Sequence, residues 1–223
     1  WLVIGLLVLT VATCHLIPRT KTSGTKTFLA PFLNIVGNRR LIVFMISASL
    51  IQASHAVYYG FSTLHWRANG LDEMTIGGLW AEGVVAEIIL FAIAGKYINR
   101  IGPIIFLTIG GFSGVLRWSV LGMTTDITHL VCIQWLHAFT FGATHLAALY
   151  YIAKSVPEEF AATAQSLYSS FAVGTTMAFA MLGSGWLYEN FGGVSFIAMT
   201  GLAFLGILLL PLVRLFSAKE AEL

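Results

Sequence analysis

Charge is what this sequence has least of. Only 10% of its 223 residues are charged, while 57% are hydrophobic. A soluble domain carries about 25% charged residues, so a water-facing surface is excluded and the solvent for most of the chain must be lipid. The net charge of +2 is too small to support nucleic-acid binding by electrostatics. Cysteine is nearly absent. Cys14 and Cys132 lie in apolar stretches and read as packed thiols, not as a disulfide framework. The sequence has no His-x-x-x-His, no Cys/His cluster, no nucleophile elbow and no phosphate loop. His129, His137 and His145 recur every eight residues, and on a regular helix each such step turns the side chain by about 80°. The three are therefore not expected on one face, and no metal, haem or other cofactor is expected. Trp1 opens an apolar run with no Met and no basic n-region before it, so the chain reads as a fragment of a longer one, without a signal peptide.

What the sequence does have is apolar residues in helix-length runs. A membrane helix needs about 20 mostly apolar residues. Charge, Gly and Pro divide the chain into six such runs, at about 41–65, 74–95, 104–123, 129–153, 161–187 and 194–213. Residues 1–16 read as the end of a truncated span before them. Residues 17–40 form a polar linker with Pro18, Arg19, Lys21, Ser23, Gly24 and Lys26, and a short interfacial helix over 27–37 precedes Arg39 and Arg40. Ten basic residues fall on one side of this arrangement: Arg19, Lys21, Lys26, Arg39, Arg40, Lys96, Arg100, Lys154, Arg214 and Lys219. The other side has Arg67 alone, beside acidic turns at Asp72, Glu73, Asp126 and Glu189. Cytoplasmic loops collect Lys and Arg, so the linker and the tail, 214–223, are predicted to be cytoplasmic. An even number of spans between them demands the same. Short loops make neighbouring helices antiparallel, and Gly110 and Gly114 suit close helix contact.

Ionisable residues at membrane depth are the informative ones, because they are costly there and face a bundle interior or a watery cavity. Glu82 and Glu87 lie near the middle of the 74–95 run, Arg117 in the outer half of 104–123, and His137 and His145 on 129–153. His55 lies on 41–65 with Gln52, Tyr58 and Tyr59. At about 1.5 Å per residue, Glu82, Arg117 and His137 sit at similar depth on three consecutive helices. An arginine alone in hydrocarbon is expensive, so Arg117 is predicted to pair with Glu87 or Glu82, the intramembrane carboxylates of this sequence. A carboxylate beside an arginine stays ionised, and takes up a proton once substrate or a conformational change withdraws the arginine. That couples protonation to transport. The same residues also suit a static ion pair that fixes packing, and His145 suits a hydrogen-bonded packing role.

The loop Gly95-Lys96-Tyr97-Ile98-Asn99-Arg100-Ile101-Gly102 resembles the Gly-x-x-x-Asp-Arg-x-Gly signature of the major facilitator superfamily, with Asn99 for the acidic residue and Pro103 for the following basic one. The runs Gln52–Ser62, Gly83–Glu87, Val115–Trp118 and His145–Ala148 are similar to proton symporters of that superfamily, in the branch near the lactose and nucleoside symporters. The resemblance implies an all-α membrane protein: the C-terminal six-helix half of a twelve-helix fold plus the end of the preceding helix. It implies a multi-pass, proton-linked permease in a bacterial inner membrane, whose partners are a small-molecule substrate, protons, the bilayer and a missing N-terminal six-helix half. Residue by residue, it marks Gln52, His55, Tyr58, Tyr59, Glu87, Arg117, Gln134, His137 and His145, and leaves Glu82 outside the shared run. Gly95, Asn99, Arg100 and Gly102 become a conformational loop. Where related symporters have an acid one turn after the histidine, this sequence has Thr140.

Secondary transport is the leading expectation. An aromatic carboxylate such as 3-phenylpropionate would suit Arg117 as counter-ion, with Tyr58, Tyr59 or Trp118 as stacking surfaces; a nucleoside or sugar is the alternative substrate. The other classes are a membrane-embedded enzyme or electron-transfer subunit, and a non-transporting structural or sensor domain. No enzymatic activity is expected.

Overall fold

A computed structural model describes residues 2–16 and 29–221. The linker positions Pro18, Arg19, Lys21, Ser23, Gly24 and Lys26 lie outside the described residues, as do 222–223 of the tail. Among the described residues every element is helical. The α-helices are α1 (Leu2–Leu16), α2 (Leu29–Gly37), α3 (Arg39–Ala53), α4 (Ala56–Ala68), α5 (Glu73–Ile101), α6 (Pro103–Met123), α7 (Ile127–Gln134), α8 (Thr144–Ser155), α9 (Glu158–Leu167), α10 (Thr176–Phe191) and α11 (Ser195–Ala221). The stretches Arg39–Ala68, Glu73–Ile101, Pro103–Met123 and Glu158–Phe216 are long and apolar enough to cross a membrane, the last running on through the turn Gly192–Val194. Exposed Val84, Ile88, Phe179, Leu182, Leu205 and Leu208 give the outside of the bundle an apolar surface. Lipid, not water, matches such a surface.

Local chemistry sets the helix boundaries. The Asn38 side chain accepts from the Leu41 N–H at 3.0 Å and opens α3. Asp72 opens α5 through the Thr75 N–H at 2.8 Å, a bond that holds its carboxyl below the ordinary value. Asp126 opens α7, accepting from the N–H groups of Thr128 and His129 at 3.0 and 3.2 Å. Bonds from the His129 ring and backbone keep the Asp126 carboxyl low as well. Both acids sit where the positive end of a helix dipole favours them. Helix α5 stops at Gly102, whose φ of +84° a side chain would resist, and Pro103 then occupies the first turn of α6.

Two of the long runs are interrupted. Between α3 and α4 the backbone turns at Ser54-His55, and between α7 and α8 it passes a turn at Trp135-Leu136 and a π-helical segment, Ala138–Ala143. A second π segment, Tyr168–Thr175, joins α9 to α10. In hydrocarbon the backbone groups released by such breaks need internal partners, and side chains supply them. His55 Nδ1–H donates to the Gln52 carbonyl at 3.0 Å, Ser54 Oγ donates to the Ile51 carbonyl at 2.6 Å, and Gln52 Nε2 donates to the Phe141 carbonyl at 3.4 Å. Sequence periodicity treats these runs as plain helices. The interruptions instead bring polar side chains of α3, α4, α6 and the π segment to one level.

Glycine governs how closely the helices approach. Helix α11 packs along α3 and α6. A Cβ on Gly111 would lie 2.5 Å from Ile207 Cγ1, and one on Gly206 would lie 2.7 Å from Ile51 Cγ1. The Ser47 hydroxyl bonds the Gly206 carbonyl at 2.6 Å across the same contact. Gly110 meets the π segment and the start of α8: a Cβ there would lie 2.9 Å from the Phe139 carbonyl oxygen and would clash with Thr144 Oγ1. Overpacking a close contact costs about 1–3 kcal/mol. Gly206→Val should therefore lower the melting temperature of the purified protein clearly, whereas Gly77→Ala, with nothing within 4 Å of the added Cβ, should leave it level or raise it.

Candidate functional site

Arg117 is completely buried, one of the largest side chains to be so. Its position in the C-terminal third of α6 points it at the break between α7 and the π segment. Nη1 donates to His137 Nδ1 at 3.0 Å and to Thr140 Oγ1 at 3.3 Å; Nη2 donates to Gln134 Oε1 at 2.6 Å. The guanidinium lies over the Tyr58 ring at 4.3 Å and the Trp118 ring at 4.9 Å. Neither glutamate pairs with it directly, which corrects the expected Arg117–glutamate ion pair. The magnitudes explain why none is needed. A hydrogen bond to a charged group contributes about 1.5–3 kcal/mol, and a desolvated cation–π contact about 2 kcal/mol. Three such bonds and two rings offset the several kcal/mol of burying one cation.

Each acceptor is itself fixed. Gln134 gives its oxygen to Arg117, so its amide N–H groups turn away, to the Leu79 carbonyl at 2.8 Å and Tyr58 Oη at 3.0 Å. The Thr140 hydroxyl bonds His55 Nε2 at 3.1 Å, and since His55 Nδ1–H goes to a carbonyl, Nε2 is the acceptor there. Trp118 Nε1–H bonds Ser54 Oγ at 2.8 Å, joining α6 to the α3–α4 break.

Histidine 137 is the hinge of the arrangement. A guanidinium can only donate, so Nδ1 must be bare and the neutral ring carries its proton on Nε2. That nitrogen faces Glu87 Oε2 at 3.7 Å, slightly beyond hydrogen-bond length. Arg117, His137 and Glu87 therefore form a line across three elements, with the imidazole between cation and acid. Gly83 makes the approach possible, since a Cβ there would be 3.3 Å from the His137 ring, and Gly142 does the same beside Glu87 Cγ at 3.4 Å.

Of the expected site residues, Gln52, His55, Tyr58, Arg117 and Gln134 are brought together, but buried at 0–3% exposure and bonded to one another or to backbone. In this structure they hold the site together from within, each bonded to another of the set or to backbone. Tyr59, at 39% exposure, and half-buried Glu87 and His145 reach the open side. His145 and His137 are also in line, against the expectation from a regular helix. Phe141 stacks on both, at 5.6 Å from His137 and 5.9 Å from His145. The π turn between them advances less per residue than an α turn, which rotates the two rings onto one side. Phe141 was recognisable only as the residue four after His137. Glu82 stands apart from this cluster, half-buried on α5. In the loop signature, Asn99 donates to the Gly95 carbonyl at 2.9 Å and accepts from the Tyr150 hydroxyl, tying the end of α5 to α8; Arg100 is exposed. Among the described residues no group of three His, Cys, Asp or Glu could hold a metal ion.

The profile of the MFS_1 like family matches residues 1–198. The chain is 38% identical over 170 residues to the Escherichia coli (strain K12) protein named "Probable 3-phenylpropionic acid transporter", across 76% of this chain and 45% of that one. It is 23% identical over 158 residues to "Uncharacterized transporter YwbF" of Bacillus subtilis (strain 168), across 71% of this chain and 40% of that one. The chain thus spans less than half the length of these curated relatives.

The Arg117 geometry makes a direct prediction. Lysine offers a compact ammonium without the planar fork, so Arg117→Lys should leave Gln134 Oε1 or His137 Nδ1 without its donor. A stability loss of about 1–3 kcal/mol is expected, read as a lower melting temperature in detergent. A variant as stable as the parent would contradict the geometry.

Proposed function

The chain belongs to the MFS_1 like family, within the major facilitator superfamily, and from that premise we propose that it forms one wall of the passage of a proton-coupled secondary transporter. In this reading its apolar runs cross a bacterial inner membrane six times, at about 41–65, 74–95, 104–123, 129–153, 161–187 and 194–213, with the linker and tail on the cytoplasmic side. An N-terminal six-helix half closes the passage opposite. The activity is transport, not catalysis.

The single observation behind the mechanism is the line Arg117–His137–Glu87, with 3.0 Å on one side of the imidazole and 3.7 Å on the other. Arg117 is sealed off, so it serves the passage through His137 and not by touching substrate. With Glu87 ionised, His137 Nε2–H is directed to it and the positive field of Arg117 is answered. A second carboxylate cannot join, because two like charges at this separation disfavour each other. Once Glu87 takes a proton, Nε2–H and the field behind it become available to an anionic substrate. Proton and anion then bind together, which is symport. Exposed Tyr59 and half-buried His145 supply flat faces for a ring beside that anion, so an aromatic carboxylate fits, and 3-phenylpropionate is favoured by the printed name of the Escherichia coli relative.

The sign of the pH dependence follows. Glu87 must be protonated to admit the anion, so apparent substrate affinity should fall as pH rises. In Glu87→Gln the position is permanently neutral. That variant should bind with little pH dependence and exchange labelled substrate across the membrane, but fail to accumulate it on a pH gradient. Uptake and counterflow in cells or vesicles containing the full-length protein measure both. Gradient-driven accumulation by Glu87→Gln equal to the parent would refute the coupling role.

A further inference from the structure

Helix α5 carries Trp80, Gly83 and Glu87 at positions i, i+3 and i+7, which a turn of about 3.6 residues places on one face. Glu87 meets His137 Nε2 from this face. Gly83 marks the level of that contact, since a Cβ there would lie 3.3 Å from His137 Cδ2, the ring atom next to Nε2. Trp80 stands one turn nearer the start of α5, about 4.5 Å along the axis. It is half-buried, as Glu87 is.

The Trp80 ring is held in place. Its Nε1–H donates to Thr63 Oγ1 on α4 at 3.1 Å, and the Tyr58 ring packs 4.6 Å away. Tyr58 in turn lies 6.2 Å from the His137 ring, which brings the tryptophan into the neighbourhood of the site. Tyr59, one turn before Thr63 on the same face of α4, has its ring 6.3 Å from Trp80 and within 21° of parallel. With its N–H already satisfied, Trp80 offers a third ring nothing but flat aromatic surface. A ring fixed in advance also loses little freedom when a ligand settles on it.

The spacing sets a length. A carboxylate on His137 Nε2 and a ring against Trp80 are separated by about one helical turn. Helical side chains lean toward the N-terminus, so the indole lies further along still. Two methylenes between carboxyl carbon and ring make three carbon–carbon bonds and span about 4 Å. A ring joined directly to the carboxyl carbon sits short of the indole. We propose that Trp80, together with Tyr59, forms the aryl subsite of the passage and selects an aromatic carboxylate whose ring stands two carbons from the acid. This assignment rests on the transport reading, which puts the anion at His137.

Isothermal titration calorimetry of the detergent-purified full-length protein, at acidic pH so that Glu87 is protonated, tests it with 3-phenylpropionate, benzoate and hexanoate as separate probes. The parent should bind 3-phenylpropionate more tightly than either of the others. Trp80→Leu should weaken 3-phenylpropionate about fivefold, the worth of one aromatic pair. Hexanoate, which has the carboxylate and no ring, should bind parent and variant alike, which separates a lost ring from a lost fold. Trp80→Phe should keep most of the preference, and Thr63→Val, which frees the indole, should weaken 3-phenylpropionate by less than Trp80→Leu does. Trp80→Leu binding 3-phenylpropionate as tightly as the parent, or losing hexanoate by the same factor, would overturn the aryl subsite and leave the transport reading standing. So would a parent that binds benzoate as tightly as 3-phenylpropionate. A parent that binds none of the three acids would overturn the transport reading, and the subsite with it.

Discussion

A cation sealed inside an apolar bundle constrains everything around it. Arg117 cannot be left without partners, and every partner must come from a helix that hydrocarbon also surrounds. The result is a shell of His137, Thr140, Gln134, Tyr58 and Trp118, each held in turn by a carbonyl, a hydroxyl or a ring. The shell needs polar side chains from α4, α6 and the π segment at one depth. Continuous α-helices would not bring Thr140 and His55 together in this way. The breaks at Ser54-His55 and Trp135-Leu136 do, and the backbone groups they release are bonded by the same side chains. The site and the irregularities of the fold are two sides of one arrangement.

The cluster also separates two tasks that an arginine near a substrate passage could have combined. Arg117 supplies positive potential, and His137 carries its direction to the open side. An imidazole suits this position because its two nitrogens play opposite hydrogen-bonding roles in the neutral ring. The acid on the far side, Glu87, is half-buried and sits beside glycine-thinned helix contacts at Gly83 and Gly142. Larger residues there would push the helix carrying Glu87 away from the ring.

The class of fold was legible in composition, since lipid is the only solvent for a chain so poor in charge, and helices are how such a chain satisfies its backbone. The depth argument set Arg117 level with His137, and these two meet, but it chose Glu82 as the acid at that level; the carboxylate beside the ring is Glu87. Their order was not legible. Spacing along a sequence gives depth and leaves open which side chain lies between two others. The expectation of an Arg117–glutamate pair assumed that only a carboxylate could offset the cation, and it overlooked rings and neutral acceptors acting together. The alignment of His145 with His137 was hidden for another reason. It depends on a π turn, and nothing in the residue pattern of Ala138–Ala143 announces one.

The account turns on the proton of His137. Nitrogen-15 magnetic resonance of the protein labelled at histidine, with His137→Gln as the assignment control, reads it directly. A neutral ring protonated at Nε2, whose Nε2 signal shifts in Glu87→Gln while its Nδ1 signal shifts in Arg117→Lys, is the predicted result. A ring protonated at Nδ1, or one indifferent to both substitutions, would contradict the line from Arg117 to Glu87.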